Sequence, residues 1–374
     1  VFMKPKITIY STNNGFFSEE GFYNFSNPII RLKYQKDILQ INNKKIKTKN
    51  PFSLIEKIIT KAKGYAVGFI SYDFKENIYG LKKYVKDELN LPLIYLNIYR
   101  NYGFSKDFEA KGYYSSIRNI KYPDKEKFIE NVKTAKEYIE NGDIYQINLS
   151  HRIEIEGFFN VEKVFKNISK FQPTPYLMLI KDKNFSLISA SMELFLEKSK
   201  NTLTTKPIKG TRPVGKTKEE DKKFFNELKN SQKEMAENLM ITDLMRNDLS
   251  RISRKGSVKV KKLFEIERYK TLYQMSSTVV SQLKENISLK EIIYNTFPPG
   301  SVTGAPKIRS MQIIDELEKY KRHVYCGATF LIKPNFDFVM SVAIRQSIFQ
   351  NNKCFIYVGA GIVADSVPEK EYEE

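Results

Sequence analysis

The fold class of this chain is decided by residues 176–207, which read YLMLIKDKNFSLISASMELFLEKSKNTLTTKP. Runs rich in apolar residues occupy 176–180, 185–196 and 202–207, with only short polar connections between them. Such runs are typical of strands. Short connections join antiparallel strands, because parallel strands need a crossover of a dozen or more residues. The stretch therefore predicts an α+β fold with antiparallel sheets.

Helices are predicted on either side of these strands. Asp124 suits the N-cap of a helix whose apolar residues recur at helical spacing up to Gly142. Thr217 opens a capping box for a helix that runs towards Asp248. Pro306 suits the first turn of another helix. A second capping box, at residues 366–369, begins a predicted terminal helix, and further strands are predicted at residues 144–150, from 258, at 338–347 and at 354–358.

The chain is strongly basic, with 62 Lys and Arg residues, 43 Asp and Glu residues and a formal net charge of +19. Such a charge is compatible with nucleic-acid binding. The lysines are, however, spread along the whole chain, and no zinc-finger, RRM or basic-zipper pattern accompanies them. We therefore expect solvated lysines and no nucleic-acid partner. A basic field of this kind also attracts anionic substrates.

Three further features bear on where the protein works. No run of about 18 or more apolar residues is present, so no membrane span and no membrane partner are predicted. The first residues, from Val1 to Pro5, lack the apolar core of a secretory signal. Cys326 and Cys354 are too few for a disulfide framework. Together these features predict a cytoplasmic protein.

Lys209 is the first candidate for chemistry. It lies between a predicted strand end and the pair Gly210-Thr211. An isolated lysine is usually a surface charge, and its amine is a nucleophile only when it is neutral. Glu193 belongs to the preceding strand region, and adjacent antiparallel strands would bring it beside Lys209 as a proton donor and acceptor. From the residues alone, a surface lysine and a catalytic one remain alternatives.

Three carboxylates are candidates for a metal site. Glu237 interrupts a mostly apolar stretch, where an uncompensated carboxylate is unfavourable. Glu371 and Glu374 are three residues apart and share one face of the predicted terminal helix. Carboxylates without nearby His or Cys suit a hard cation such as Mg²⁺. Acidic residues on a helix or at a chain end are usually solvated, so spacing alone leaves a metal site and ordinary surface residues as alternatives.

Read together, these segments resemble the chorismate-utilising enzymes. This family includes the first components of anthranilate and aminodeoxychorismate synthase and the isochorismate and salicylate synthases. The resemblance covers residues 124–374, and the N-terminal third agrees chiefly through residues 68–73 (GFISYD). Its motifs, which keep the family's order, are residues 142–150 (GDIYQINLS), 207–212 (PIKGTR), 237–248 (ENLMITDLMRND), 300–307 (GSVTGAPK), 343–345 (AIR) and 359–366 (GAGIVADS).

The resemblance implies one intertwined domain of two stacked antiparallel β-sheets surrounded by helices. Residues 1–115 would form its N-terminal region, and residues 116–374 its chorismate-binding catalytic region. It also implies that Mg²⁺ anchors the ring carboxylate of chorismate through Glu237, Glu371 and Glu374. The substrate-binding positions implied in the same way are Gly210, Thr211, Thr303, Arg345, Gly359, Ala360 and Gly361.

Two positions narrow the implied reaction. Water-adding family members have a lysine base where this chain has Gln146, so the resemblance implies that ammonia is added. Anthranilate synthases usually have alanine where this chain has Lys209, whereas many aminodeoxychorismate synthases have lysine. The implied reaction is attack of Lys209 on ring C2 of chorismate while Glu193 protonates the departing C4 hydroxyl. Ammonia then adds at C4 and expels the lysine.

The product implied by this reaction is 4-amino-4-deoxychorismate, a precursor of p-aminobenzoate and folate. A separate glutaminase subunit would supply the ammonia, since no such domain is evident in the chain. One alternative is anthranilate synthase component I. Outside the enzymes, the alternative is a basic nucleic-acid-binding protein.

The chain departs from the family pattern at three places. Gln274 stands where a histidine is typical, and because an amide does not transfer protons we expect pyruvate elimination, which anthranilate formation requires, to be disfavoured. Met192 stands where a proline commonly precedes the catalytic glutamate. Family members continue beyond the acidic helix, so we expect that the chain ending at Glu374 is truncated.

Overall fold

The computed structural model of the chain describes residues 6–12 and 15–373. The described strands are β1 (Lys6–Ser11), β2 (Gly21–Phe25), β3 (Ile30–Gln35), β4 (Ile38–Ile41), β5 (Lys44–Lys47), β6 (Tyr65–Ile70), β7 (Ile94–Tyr99), β8 (Gly103–Ser105), β9 (Ser116–Lys121), β10 (Gln146–Phe158), β11 (Tyr176–Lys181), β12 (Ser186–Ser191), β13 (Leu194–Ser199), β14 (Thr202–Lys206), β15 (Ile208–Pro213), β16 (Lys259–Arg268), β17 (Leu272–Gln282), β18 (Gly304–Ala305), β19 (Ala328–Ile332), β20 (Phe338–Val342), β21 (Gln346–Gln350) and β22 (Lys353–Ile362). The described α-helices are α1 (Pro51–Ala62), α2 (Lys75–Tyr79), α3 (Lys125–Glu140), α4 (Val161–Phe171), α5 (Lys218–Lys229), α6 (Gln232–Ile252), α7 (Leu289–Thr296), α8 (Lys307–Leu317) and α9 (Pro368–Glu373).

The strands form two sheets whose neighbouring strands run antiparallel. Sheet A has ten strands in the order β18-β10-β22-β21-β12-β11-β1-β2-β8, and β9 also pairs with β10. Sheet B has twelve strands in the order β15-β17-β14-β13-β20-β19-β6-β7-β3-β4-β5, and β16 also pairs with β17. The predicted α+β fold with antiparallel sheets is therefore confirmed.

The main hydrophobic core draws on both sheets. Ile9 and Met178 of sheet A and Phe69 and Phe330 of sheet B are buried members of one cluster. Apolar faces of two sheets bury each other in this way because neither face is stable in water alone. Helix α6 covers sheet B through contacts with β15 and β17. Among the described helices, none is long and apolar enough to cross a membrane.

Strands from the first 115 residues enter both sheets. In sheet A, β1 pairs with β11, and in sheet B, β6 pairs with β19. The two predicted regions are therefore interleaved in space, and the boundary at residue 115 stays a prediction.

Two predicted strands are each divided between the sheets. Residues 185–196 form β12 in sheet A and β13 in sheet B, with Glu193 between them. Residues 338–347 are divided in the same way. Residues 338–342 form β20 in sheet B, and residues 346–347 begin β21 in sheet A. Arg345 lies between the two strands at a φ of 50°. Both predictions of one continuous strand are wrong. The apolar pattern continues through each break because both sheets bury the strand that they receive.

The predicted helix from Thr217 towards Asp248 is also two helices. Thr217 caps α5 by accepting the N–H of Glu220, as its capping signal predicts. Helix α5 ends at Lys229, and Ser231 begins α6 by accepting the N–H of Glu234 at 3.4 Å. The second cap begins a separate helix, which a continuous helical pattern does not reveal.

Candidate active site

Lys209 reaches its position through an irregular strand. The pairing of β15 with β17 changes register between Ile208 and Thr211, which makes a bulge of the residues between them. A bulge bends the strand and re-aims a side chain. Gly210 has a φ of 89°, and a Cβ atom there would lie 2.9 Å from an oxygen of Glu234. The bulge therefore requires glycine beside Lys209.

The pair β10–β22 forms another wall of the site. Asn148 on β10 opposes Gly361 on β22. A Cβ atom on Gly361 would lie 3.0 Å from Gln146 Nε2, 3.1 Å from Lys209 Nζ and 3.9 Å from Glu237 Oε2. The structure thus gathers groups from β10, β15, β22 and α6 around one glycine. Lys209, Glu237 and Gly361, all singled out in the sequence, lie together here.

Glu193 lies close to Lys209, at the crossing from β12 to β13. Its side chain is buried, and burial raises its pKa to about 7, while the nearby Ser301 hydroxyl, the charge of Lys209 and the N–H of Ile208 act to lower it. A carboxyl group with a pKa near neutrality is suited to proton transfer. The predicted route to this contact is wrong, because β13 and β15 are not neighbours in sheet B. The break between the sheets brings Glu193 to the N–H of Ile208 instead.

Glu237 and Glu371 are the described part of the predicted metal site. Burial raises the pKa of Glu237. The charge of Lys209 lowers this pKa, and the charge of Glu371 raises it further. Glu371 is itself buried on α9. Two neighbouring carboxylates with little solvent are unfavourable unless positive charge compensates them, and Lys209 and Lys233 supply part of that charge to Glu237. Their oxygen donors fit Mg²⁺ in chemistry.

The third predicted ligand, Glu374, lies outside the described residues. Within residues 6–12 and 15–373, no group of three or more His, Cys, Asp or Glu side chains is placed to hold a metal ion. The Mg²⁺ site therefore stays a prediction that rests on two described carboxylates.

A group of polar atoms surrounds Gly359. A Cβ atom there would lie 2.8 Å from the Tyr325 hydroxyl and 3.1 Å from Asn148 Nδ2. In the described structure, Asn148 Nδ2 and Gln146 Oε1 are buried without a hydrogen-bond partner. Buried polar atoms are normally paired, so these two atoms are open to a ligand. Ala360 faces the other side of the sheet and packs in a hydrophobic cluster.

The remaining predicted substrate-binding residues lie in different settings. Arg345 is exposed at the crossing from β20 to β21, and Thr211 is exposed on β15. Thr303 is buried, and its hydroxyl is 3.1 Å and 3.2 Å from two backbone oxygens of the preceding turn. Gln274 opposes Thr211, and its buried Oε1 has no partner among the described groups. The binding roles of these residues stay predictions.

A comparison with known families settles the ancestry of this site. A family model described as chorismate binding enzyme matches residues 109–374. The chain belongs to the chorismate-binding enzyme family. The relatives that it matches within this family are named as anthranilate synthase and aminodeoxychorismate synthase components.

Individual relatives of the chain carry both names. Aminodeoxychorismate synthase component 1 of Bacillus subtilis (strain 168) is 33% identical over 349 residues, which are 83% of this chain and 74% of the relative. Anthranilate synthase component 1 of Aquifex aeolicus (strain VF5) is 41% identical over 250 residues, which are 67% of this chain and 51% of the relative. The chain thus spans about half the length of that second relative.

A solved structure supports the fold of the chain. The crystal structure of anthranilate synthase component I from Streptococcus pneumoniae TIGR4 matches with a TM-score of 0.84 and 27% sequence identity. The match covers 100% of this chain and 90% of the other. The predicted arrangement of two antiparallel sheets with surrounding helices is confirmed.

Two residues that sequence reasoning did not single out border the site. Glu234 lies one helical turn before Glu237, and its carboxylate is 3.2 Å from the Arg212 guanidinium. That spacing was a usable signal, because residues three apart on a helix share a face. Tyr325 carried no such signal, since only the packing of the two sheets brings its hydroxyl to Gly359.

Proposed function

We propose that this chain is the synthase component of an aminodeoxychorismate synthase, which converts chorismate and ammonia to 4-amino-4-deoxychorismate for p-aminobenzoate and folate biosynthesis. The observation that carries the proposal is the closeness of Lys209 to Glu193, a buried carboxyl group whose pKa is raised to about 7. A nucleophile and an acid are what a covalent route to substitution needs. The Bacillus subtilis relative with this name shares 33% identity over 83% of the chain.

In the first step, Lys209 acts as the nucleophile and Glu193 as the acid. The neutral amine forms a bond to ring C2 of chorismate, and the ring double bonds shift towards C4. The C4 hydroxyl leaves as water after taking the proton of Glu193. A pKa of about 7 keeps a useful fraction of this group protonated at neutral pH.

In the second step, ammonia forms a bond to C4, the double bonds shift back, and the C2–nitrogen bond breaks with its electron pair returning to Lys209. The new ammonium group at C4 gives a proton to the Glu193 carboxylate, which restores the acid. The sum is chorismate plus ammonia giving 4-amino-4-deoxychorismate plus water. Each group ends in its starting state, as a catalyst requires.

The substrate would be held by the polar groups around this pair. Asn148 Nδ2 and Gln146 Oε1 have no partner among the described residues and would contact substrate or ammonia. Glu237 and Glu371 would hold Mg²⁺, which when bound neutralises and orients the ring carboxylate. A separate glutaminase subunit would supply ammonia, in keeping with relatives that are named as component 1.

Product analysis of wild type and Lys209→Ala tests the proposal. With chorismate, ammonia and Mg²⁺, we expect the wild type to form 4-amino-4-deoxychorismate and the variant to lose about 10³-fold or more in rate, because its nucleophile is gone. Lys229→Ala, which alters an exposed lysine at the end of α5, is the matched control and should keep its activity. Unchanged turnover by Lys209→Ala would rule out covalent catalysis by this lysine.

Anthranilate synthase component I is the second candidate. It is favoured by the 41% identity of the Aquifex aeolicus relative over 67% of the chain. Against it stands Gln274, a buried amide beside β15 that does not transfer protons in the elimination of pyruvate. The same assay separates the two candidates, since fluorescent anthranilate formed without an added lyase would favour this one.

A further inference from the structure

A separate cavity lies behind the proposed active site. Its volume is about 230 Å³, and it is enclosed by the end of β9, the start of α3, the middle of β10 and the residues that follow α8. None of the residues proposed above for catalysis, substrate or metal lines it. Pockets for drug-sized ligands have volumes of about 300–1,000 Å³, so this cavity suits a smaller molecule.

His151 forms the wall between this cavity and α9. Its ring packs edge-on against Phe128 and Tyr372, with centroid distances of 4.7 Å and 5.4 Å. Burial lowers the pKa of His151, which favours the neutral imidazole. Its Nδ1 atom is buried and has no hydrogen-bond partner within the described part of the chain. Other atoms of the His151 ring, and not this nitrogen, therefore line the cavity.

The innermost acidic residue of the cavity is already neutralised. Glu318 is buried and lies within 2.9 Å of two nitrogens of Arg322. It also accepts hydrogen bonds from the N–H and the hydroxyl of Ser150, both at 2.8 Å. Four donors satisfy this carboxylate, so it offers little to a cationic ligand.

The charges nearer the opening favour an anion. Glu154 is paired with Arg152, and Asp124 accepts an N–H of the first turn of α3. Lys121 and Lys319 are exposed, and no described carboxylate lies within the 4.0 Å salt-bridge distance of either. The acids of the cavity are therefore engaged by the protein, whereas two of its lysines lack a partner of opposite charge. The resulting field attracts negative charge.

The walls favour an aromatic ring. Phe128 and Tyr320 line the cavity together with His151. Aromatic side chains pack well on the face or edge of a ligand ring. We propose that this cavity binds a small aromatic carboxylate, whose ring packs against Phe128 and Tyr320. The ligand ring also contacts the His151 ring, and the ligand carboxylate lies in the field of Lys121 and Lys319.

Such a ligand would act on the active site through α9. Tyr372, which packs on His151, directly follows Glu371 in the chain. A ligand that fixes the His151 ring supports the surface on which Tyr372 docks. The cavity site does not depend on which nitrogen-containing product the enzyme makes, so its test is independent of the reaction assay.

Histidine-ring NMR with benzoate as the probe tests the site. The chain has two histidines, and His323 is buried in a different part of the fold, so it is an internal reference. We expect benzoate, titrated to roughly 10 mM, to shift the His151 ring signals and leave those of His323 in place. His151→Phe, which keeps an aromatic ring between Phe128 and Tyr372, identifies the signal.

Variants and analogues decide what the shift means. Lys319→Glu should raise the benzoate Kd about fivefold through charge reversal, and Lys255→Glu, in an exposed turn elsewhere, should not change it. Lys209→Ala should keep the shift, which separates this cavity from the active site. Benzamide, without the charge, and cyclohexanecarboxylate, without the aromatic ring, should bind more weakly. The proposal is overturned if His151 does not respond to benzoate, or responds equally in Lys319→Glu.

Discussion

Glu193 and Glu318 are both buried carboxylates, each about 4% exposed, yet the protein treats them in opposite ways. For Glu318, burial favours the protonated form, but the charge and hydrogen bonds of Arg322 outweigh it and lower the pKa. For Glu193, burial prevails over Lys209 and Ser301 and raises the pKa to about 7. Depth in the fold is therefore not what separates a structural carboxylate from a reactive one.

The difference lies in how completely each group is paired. Arg322 contacts Glu318 and also donates to the backbone oxygens of Asn148 and Val302, at 2.5 Å and 3.0 Å. This pair joins β10 to the turn before Thr303, and it engages four of the five N–H groups of the guanidinium. Glu193 has fewer partners, so its proton is free to move. The fully paired Arg322 and Glu318 stabilise the fold, and Glu193, which has fewer partners, is the group available for proton transfer.

Breaking the saturated pair should give the largest effect on stability. Arg322→Met leaves the Glu318 charge buried without its partner, which lowers the free energy of unfolding by about 3–5 kcal/mol. Urea unfolding at pH 7, followed by circular dichroism, measures the change. The double variant Glu318→Gln/Arg322→Met should recover most of the loss, because no charge is then stranded. Equal losses in both variants would show that packing of the Arg322 stem, and not its charge, stabilises this region.

The contrast between these carboxylates also shows what the sequence could predict. The strands around residues 176–207 and the caps at Asp124 and Thr217 follow from local patterns, because apolar spacing and cap residues act over a few positions. The break at Glu193 does not follow from them. Both sheets bury the strand they receive, so the apolar pattern continues through the crossing.

The site is predicted less completely than the fold. Lys209, Glu193 and Glu237 were found through a family resemblance, and the structure places them near one another. The saturation of Glu318 by Arg322 and Ser150 depends on side chains from β10 and the segment after α8, which meet only after folding. The sequence shows a glutamate at both positions, and it does not show whether the fold pairs the carboxylate fully or leaves it reactive.

Glu193 should lower the free energy of unfolding by an amount that depends on pH. The pKa of Glu193 rises from 4.5 to about 7 on folding, so the folded state holds this proton more tightly than the unfolded state. The free energy of unfolding therefore falls as pH rises from about 4.5 to about 7, by up to about 3 kcal/mol. Glu193→Gln removes this dependence and should stabilise the protein by about 2 kcal/mol at pH 8 and by little at pH 4.

Urea unfolding of wild type and Glu193→Gln at the two pH values measures this change. The same variant should lose about 10²-fold or more in turnover, because it has no proton to give. A variant that is less stable than wild type at pH 8 would contradict the view that Glu193 is kept unpaired at the expense of stability.

The smallest expected effect concerns the space that Gly361 leaves beside Lys209. An alanine Cβ there would lie 3.0 Å from Gln146 Nε2 and 3.1 Å from Lys209 Nζ, two ends of flexible side chains that can give way. Gly361→Ala should therefore change the free energy of unfolding by less than about 1 kcal/mol. Turnover should fall about tenfold, because displacement of a nucleophile by a fraction of an ångström already disturbs attack. Gly103→Ala, whose Cβ would meet its nearest atom only at 4.0 Å, is the control and should leave both quantities unchanged. If Gly361→Ala lowers stability in step with activity, the glycine serves packing of β22 against β10, and the open space beside Lys209 has no separate role in placing the amine.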